Sequence, residues 1–388
     1  MNMNSIYKKK LVFSILTCFL AFTLLSTTPK AMANIVSKEQ LKNVGYYTSW
    51  SAYSNFTPDK IDATKLTHIN YAFANVNEEL KIILGDSYID PSNIKKLNEL
   101  KKINPNLKIL ISVGGWSWSD KFSDAALTDK SRTIFANSCV DFIKKYGFDG
   151  IDIDWEFPVS GGPPTNKYRK EDKQNFTLLL KAIREKLDIQ GKKDGKHYLL
   201  TIAGGAGSMG IDNVELWNIH RYLDFANIMT YDMHGTWDKY TDFNAPLYGG
   251  NSPNYVKSSV DTAVKSWINA GFPKEKIVMG IPFFGKQYNM VNVWNNGLYQ
   301  TFNGGLSLSY ADIVSKYLNK QGFIRYYHSE YMVPWLYNGT TFISYEDEES
   351  IGHKAEYIKL NGLGGAMIWE LKQDPNSILL NKLYKSLQ

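Results

Sequence analysis

The sequence predicts a (β/α)8 barrel with a small α+β insertion between its seventh and eighth strands. Eight short apolar runs alternate with helical patterns along the chain, and none of the runs offers a polar face to water. An open, doubly wound sheet would fit the alternation too, but the count of eight favours the closed barrel.

The runs span 44–48, 67–74, 107–113, 149–156, 198–203, 225–231, 276–283 and 364–369. Helices are expected between them near 93–103, 129–146, 172–187, 214–223, 255–270 and 350–359, with a closing helix near 377–386. Within 172–187, Phe176, Leu180, Ile183 and Leu187 recur at spacings of three and four and build one apolar face. The interval from the seventh strand to the helix at 350 is too long for an unstructured loop. It holds runs at 333–337 and 340–345 joined by Asn338-Gly339, a strong hairpin signal, and a helical pattern at 309–318. The expectation is a catalytic barrel over 43–388, with 286–343 as an α+β insertion riding on one βα loop.

The first 33 residues differ in character. Lys8, Lys9 and Lys10 precede an apolar run at 11–25 and a small-residue site, Ala31-Met32-Ala33. This is the pattern of a secretory signal peptide, and the run is shorter than the roughly 20 residues that span a bilayer. A secreted, extracellular protein is expected. The segment carries four lysines and no acids, so its removal lowers the formal charge from +6 to +2. A mature chain so near neutrality lacks the footprint of a nucleic-acid or anionic-membrane binder, and a monomer is expected. Its one cysteine, Cys139, reads as a small core residue, so stability must come from a large core and not from disulfides.

The segment 148–158 sets four acids among apolar neighbours. In an extended strand Asp152, Asp154 and Glu156 share one face, while Ile151, Ile153 and Trp155 share the other. Asp149 has the opposite parity. Three carboxylates would therefore rise in file through the barrel, with Glu156 at the carboxyl end where active sites form. Like charges so close in a poorly solvated interior cannot all ionise, and one carboxyl must be pushed up. Such an arrangement costs stability and usually marks chemistry. The interleaved isoleucines and the missing glycine at the sixth position argue against an EF-hand. A raised carboxylic acid at a barrel mouth suits protonation of a glycosidic oxygen. The aromatic fraction of 14% supplies rings for sugar stacking, although most must be core.

At this point a resemblance becomes specific. Asp149-x-x-Asp152-x-Asp154-x-Glu156 resembles the signature of glycoside hydrolase family 18, the chitinases. Ser112-Val-Gly-Gly-Trp116, Met229-Thr-Tyr231-Asp232, Gly280-Ile-Pro-Phe-Phe-Gly285 and Trp369 match in order as well. The resemblance implies cleavage of β-1,4-linked N-acetylglucosamine polymers, chitin or chito-oligosaccharides, with retention and without cofactor or metal. The nucleophile is then the substrate's own 2-acetamido oxygen. Glu156 would protonate the leaving oxygen and then activate water. Asp154 would accept the acetamido N–H, and Asp152 would share a proton with Asp154 while bonded by Tyr46 and Ser112. Tyr231 would donate to the acetamido oxygen, with Met229 and Asp232 lining that pocket and Trp369 as its floor. Phe73 and Trp116 complete the expected substrate-binding set.

Two other readings stand beside this one. An endo-β-N-acetylglucosaminidase acting on N-glycans would use the same chemistry, but the long insertion favours a deep cleft for linear polymer. A non-catalytic chitin-binding lectin is opposed by the intact Glu156. Gly205-x-Gly207-x-x-Gly210 imitates a dinucleotide fingerprint but follows the fifth strand and does not open a βαβ unit. The six histidines include no pair at metal-ligand spacing, and no Gly-x-Ser-x-Gly elbow occurs. Trp50, Trp116, Trp118, Trp237, Trp294 and Trp335 are weak sugar-binding candidates, about half of them expected to be core.

Overall fold

A computed structural model describes residues 40–254 and 258–388. The expected signal segment, and residues 255–257 of the expected helix 255–270, lie outside the described residues. In chain order the strands are β1 (Lys42–Thr48), β2 (His68–Val76), β3 (Ile82–Leu84), β4 (Lys108–Gly114), β5 (Gly150–Asp154), β6 (Leu199–Gly205) and β7 (Phe225–Met229). There follow β8 (Ile277–Pro282), β9 (Phe284–Tyr288), β10 (Gly305–Ser309), β11 (Ile324–His328), β12 (Val333–Tyr337), β13 (Phe342–Ser344) and β14 (Gly365–Trp369).

Eight of these strands run parallel in the ring β1-β2-β4-β5-β6-β7-β8-β14, which β14 closes by pairing with β1. The chain is a (β/α)8 barrel, and no polar edge is left in the ring. Each expected run overlaps a barrel strand, because strands covered on both sides must be apolar throughout. The extra strand β3, antiparallel to β2, carries no comparable signal: three residues are too few for a period.

Helix termini follow their capping residues more closely than their apolar period. Asp129–Tyr146 begins with the reciprocal Thr128/Ser131 box and ends at Gly147, whose φ of 78° is the left-handed cap. The helix expected at 172–187 runs on to Asp194, since its polar last turns lack apolar spacing, and Gly195 stops it. The one expected at 214–223 shrinks to Leu216–Ile219; beyond it the amides of Arg221 and Tyr222 bond only three residues back. Among the described residues no helix is long and apolar enough to cross a membrane.

A second sheet, antiparallel in the order β10-β9-β13-β12-β11, lies in sequence between β8 and β14. Its core includes Phe243, Tyr288, Val333, Trp335 and Phe342. The Asn338-Gly339 hairpin differs from the two-residue turn expected. Tyr337 pairs with Phe342, so four residues connect the strands and β13 starts at Phe342. Asn338 explains the longer loop, its Oδ1 accepting from the amides of Thr340 at 3.2 Å and Thr341 at 2.9 Å.

Just past β13, the buried Glu346 pairs with Lys354 of the helix Glu348–Asn361, and Lys354 also donates to the Ala245 carbonyl at 2.7 Å. Burial raises the carboxyl and lowers the ammonium, so each depends on the other to stay charged. Lys354→Met should leave Glu346 buried without its cation and cost about 3–5 kcal/mol. The check is the denaturation midpoint beside that of the Glu346→Gln/Lys354→Met double variant, which should recover most of the loss.

Candidate functional site

The residue that organises the barrel interior is Asp152, fully buried on β5. Its Oδ2 accepts from the Tyr46 hydroxyl and the Ser112 hydroxyl, each at 2.7 Å. Its Oδ1 accepts from the Thr201 hydroxyl at 2.6 Å and the Asn227 amide at 3.4 Å. These donors come from β1, β4, β6 and β7, so one carboxylate ties β5 to its two neighbours and to two strands beyond them. Burial pushes its carboxyl up, while the hydrogen bonds oppose that shift.

One pleat further along β5 lies Asp154, also buried, with no described protein group donating to its Oδ1. Its carboxyl is driven well above the ordinary range by burial first, then by the charges of Glu156 and Asp152. Glu156 stands just past the strand at the cleft surface. Its backbone is fixed from both sides: its amide donates to Ser119 Oγ at 2.9 Å and its carbonyl accepts from Asn166 at 2.7 Å. Burial, and then the charge of Asp232, push its carboxyl up to about 7. On the other face, Trp155 packs against Phe122 and Phe176, as the alternation of the strand requires. Asp149 sits at the opposite end of the strand, accepting from the Ile109 amide and paired with Lys101 at 2.6 Å.

A cavity of about 480 Å3 opens above these carboxylates. Tyr46, Phe73, Trp116, Asp154, Glu156, Met229, Tyr231, Asp232 and Trp369 line it; Ser112 and Asp152 lie beneath. Among them, the Trp369 ring lies 5.4 Å from that of Tyr46 and stacks on that of Phe73 at 5.9 Å. A second lobe of about 610 Å3 shares Trp116, Glu156, Met229, Tyr231 and Asp232 with the first. Glu156 therefore stands where the two lobes meet. The glycines of Ser112-Val-Gly-Gly-Trp116 are needed here. Gly114 and Gly115 have φ of 100° and 74°, and a Cβ on them would strike the Asp154 carbonyl and the Phe73 ring.

The tryptophan candidates divide. Trp50, Trp116 and Trp237 are exposed in the cleft, the last two at 56% and 61%, and Trp118 also lines it. Trp335 is core of the second sheet, and Trp294 is exposed without lining either lobe. The Gly205–Gly210 loop forms a wall of the second lobe; a Cβ on Gly210 would meet the Gly205 carbonyl, so that glycine serves close backbone packing.

Sequence reasoning missed Thr201, Asn227, Ser119 and Lys286. Thr201 and Asn227 were findable as polar residues of inward parity in otherwise apolar runs. Lys286, buried on β9, pairs with Asp232 at 2.7 Å and lies over the rings of Trp237 and Phe284, at 5.2 and 5.0 Å. Only the folded proximity of β9 to the end of β7 shows it.

The chain matches the family described as "Glycosyl hydrolases family 18" over residues 42–374. Chitinase A1 of Niallia circulans is 42% identical over 100% of this chain, which spans 64% of that protein. Among solved structures, a glycoside hydrolase family 18 N-acetylglucosaminidase from Paenibacillus barengoltzii superposes with a TM-score of 0.82 and 41% identity, covering 89% of this chain and 100% of its own. Chitinase ChiA74 from Bacillus thuringiensis gives a TM-score of 0.84 and 38% identity over 90% of this chain and 70% of its own.

Glu156 can give a proton only while its carboxyl is protonated, so its capacity as an acid is present below about 7 and lost as pH rises through that value. Because Asp232 contributes to the raised value, Asp232→Asn should move the titration to lower pH. A carboxyl 13C titration of Glu156 reads this directly, and an unmoved midpoint would remove Asp232 from the explanation.

Proposed function

The chain belongs to family 18 of the glycosyl hydrolases, and from that premise we propose that it is a chitinase. Its substrate is a β-1,4-linked N-acetylglucosamine polymer or oligomer, cleaved with retention by the substrate's own acetamido group. The observation that carries this reading is the position of Glu156, a carboxylic acid raised to about 7 where two sugar-sized lobes meet.

Glu156 protonates the glycosidic oxygen between the sugars in the two lobes, then takes a proton from the incoming water. A two-carboxylate retaining mechanism also needs a carboxylate nucleophile on the far side of the sugar. Asp152 and Asp154 are buried behind Glu156, and Asp232 is held by Lys286. The acetamido oxygen fills that role. Asp154 accepts the acetamido N–H, and the charge that the aspartate pair, Asp152 with Asp154, retains around its one proton stabilises the cyclic oxazolinium that forms. Tyr231, whose hydroxyl is buried at the wall beside Met367, donates to the acetamido oxygen. Trp369 gives the distorted sugar an apolar floor. Fixed dipoles and charges in a dry pocket stabilise the developing cation far better than water would.

The substrate-binding set of Tyr46, Phe73, Ser112, Trp116, Met229, Asp232 and Trp369 falls into two groups under this reading. Ser112 and Tyr46 support Asp152, and the others touch sugar. The signal-like start, 1–33, fits an exported enzyme meeting its polymer outside the cell as a monomer.

Glu156→Gln should lower kcat by about 10²–10⁴-fold while leaving chito-oligosaccharide affinity within a few-fold, because only the proton is lost. Calorimetric binding beside turnover of chitin hexamer reads both quantities, and near-normal turnover would falsify the assignment. Asp154→Asn should also cut kcat strongly, and full rate there would rule out acetamido participation. Product analysis on chitin hexamer beside a high-mannose glycoprotein should give chito-oligosaccharide products and leave the glycoprotein intact.

A further inference from the structure

Asp152 and Asp154 are consecutive inward residues of β5, both buried, yet their surroundings are opposite. A carboxylate offers about four lone-pair positions, and Asp152 has four donors on them, two per oxygen. At Asp154 no described protein group donates to Oδ1, which is buried. Tyr46 and Ser112, both on Oδ2, belong to the expected set; the Oδ1 side depends on Thr201 and Asn227. The Thr201 hydroxyl is the nearer, at 2.6 Å against 3.4 Å. The Asn227 amide divides itself between Asp152 Oδ1 and the Tyr46 hydroxyl, also at 3.4 Å.

We propose that Thr201 is a positioning residue: by saturating Oδ1 of Asp152 it keeps that carboxylate ionised and leaves the pair's single proton on Asp154. The proposal rests on the reading of Asp154 given above and adds what decides which carboxylate is acidic. A donor to an ionised carboxylate favours the ionised form; without it, the proton moves to whichever group is less well solvated. Besides Asp154, two titratable groups bear on Asp152, Tyr46 from β1 and Tyr231 just past β7, while Glu156, just past the end of β5, bears on Asp154. Both tyrosines are pushed above their ordinary value by burial first, so neither competes for the proton near neutrality. The exchange is confined to the aspartate pair and Glu156. Thr201 never touches substrate; it acts through Asp152.

The test replaces the hydroxyl with a methyl. In Thr201→Val, Asp152 loses its nearest Oδ1 donor, and its titration should move up by about one pH unit or more. Carboxyl 13C spectra of aspartate-labelled protein, assigned with Asp152→Asn and Asp154→Asn, read this without any turnover. On chitin oligomers the acid limb of kcat/KM should shift upward with it, and kcat should fall at least tenfold with KM little changed. Thr201→Ser, which restores the donor, should bring back the wild-type titration and profile. Thr201→Ala removes the same donor and takes the place of valine if that variant does not fold. An Asp152 titration and acid limb unchanged in a folded, merely less stable variant would overturn the proposal. Wild-type protein without turnover of chitin oligomers would count against the function proposed above, while the carboxyl titration would still decide the role of Thr201.

Discussion

Charge does not enter a protein interior alone, and this barrel has a carboxylate at its centre. Asp152 is removed from water on every side, and its position is tolerable only because groups from four other strands point at it. That condition fixes more than one residue. It sets the register in which β5 lies beside β4 and β6, since Ser112 and Thr201 are both level with Asp152 across the sheet. A slip of one residue on either side would turn the donor outward and leave the carboxylate bare. The solvation of the buried carboxylate and the closure of the barrel are therefore one structural problem with one solution.

Above Asp152 the same physics gives a gradient. Asp152 is surrounded by donors, Asp154 is buried with far fewer, and Glu156 reaches the cleft surface with its backbone pinned by Ser119 and Asn166. From Asp152 to Glu156, across the end of β5, hydration and hydrogen bonding change at every second residue, and proton affinity changes with them. The aromatic walls hold the gradient in place. Trp369, Phe73 and Tyr46 line one lobe, and Asp232, paired with Lys286 beneath the Trp237 ring, borders the other.

Much of this was legible in the sequence because the period of a strand is strict. Once 149–156 is extended, the shared face of Asp152, Asp154 and Glu156 follows from counting by two, and the barrel follows from eight apolar runs. Features that depend on proximity across the chain were not legible. Thr201 and Asn227 follow Asp152 by 49 and 75 residues, so their inward parity in apolar runs marks them as polar and interior but not as partners of that carboxylate. Lys286 meets Asp232 only because β9 passes the end of β7. The helix at 172–194 was cut short because its last turns are polar, and the hairpin at Asn338 was given too tight a turn because one side chain, not the dipeptide, sets the loop.

The pairing of β1 with β14 has a consequence for the order in which the protein can come into being. Tyr46, Ser112, Thr201 and Asn227 all precede residue 230, whereas Trp369 arrives 323 residues after the Tyr46 ring it faces. A chain made from its N-terminus thus carries every donor that Asp152 requires before the strand that seals the ring has been synthesised. The charged centre can be satisfied first, in a curved and incomplete sheet. The last strand to appear then delivers closure and the Trp369 ring together, so a barrel left open at that seam would also lack that wall of its cleft.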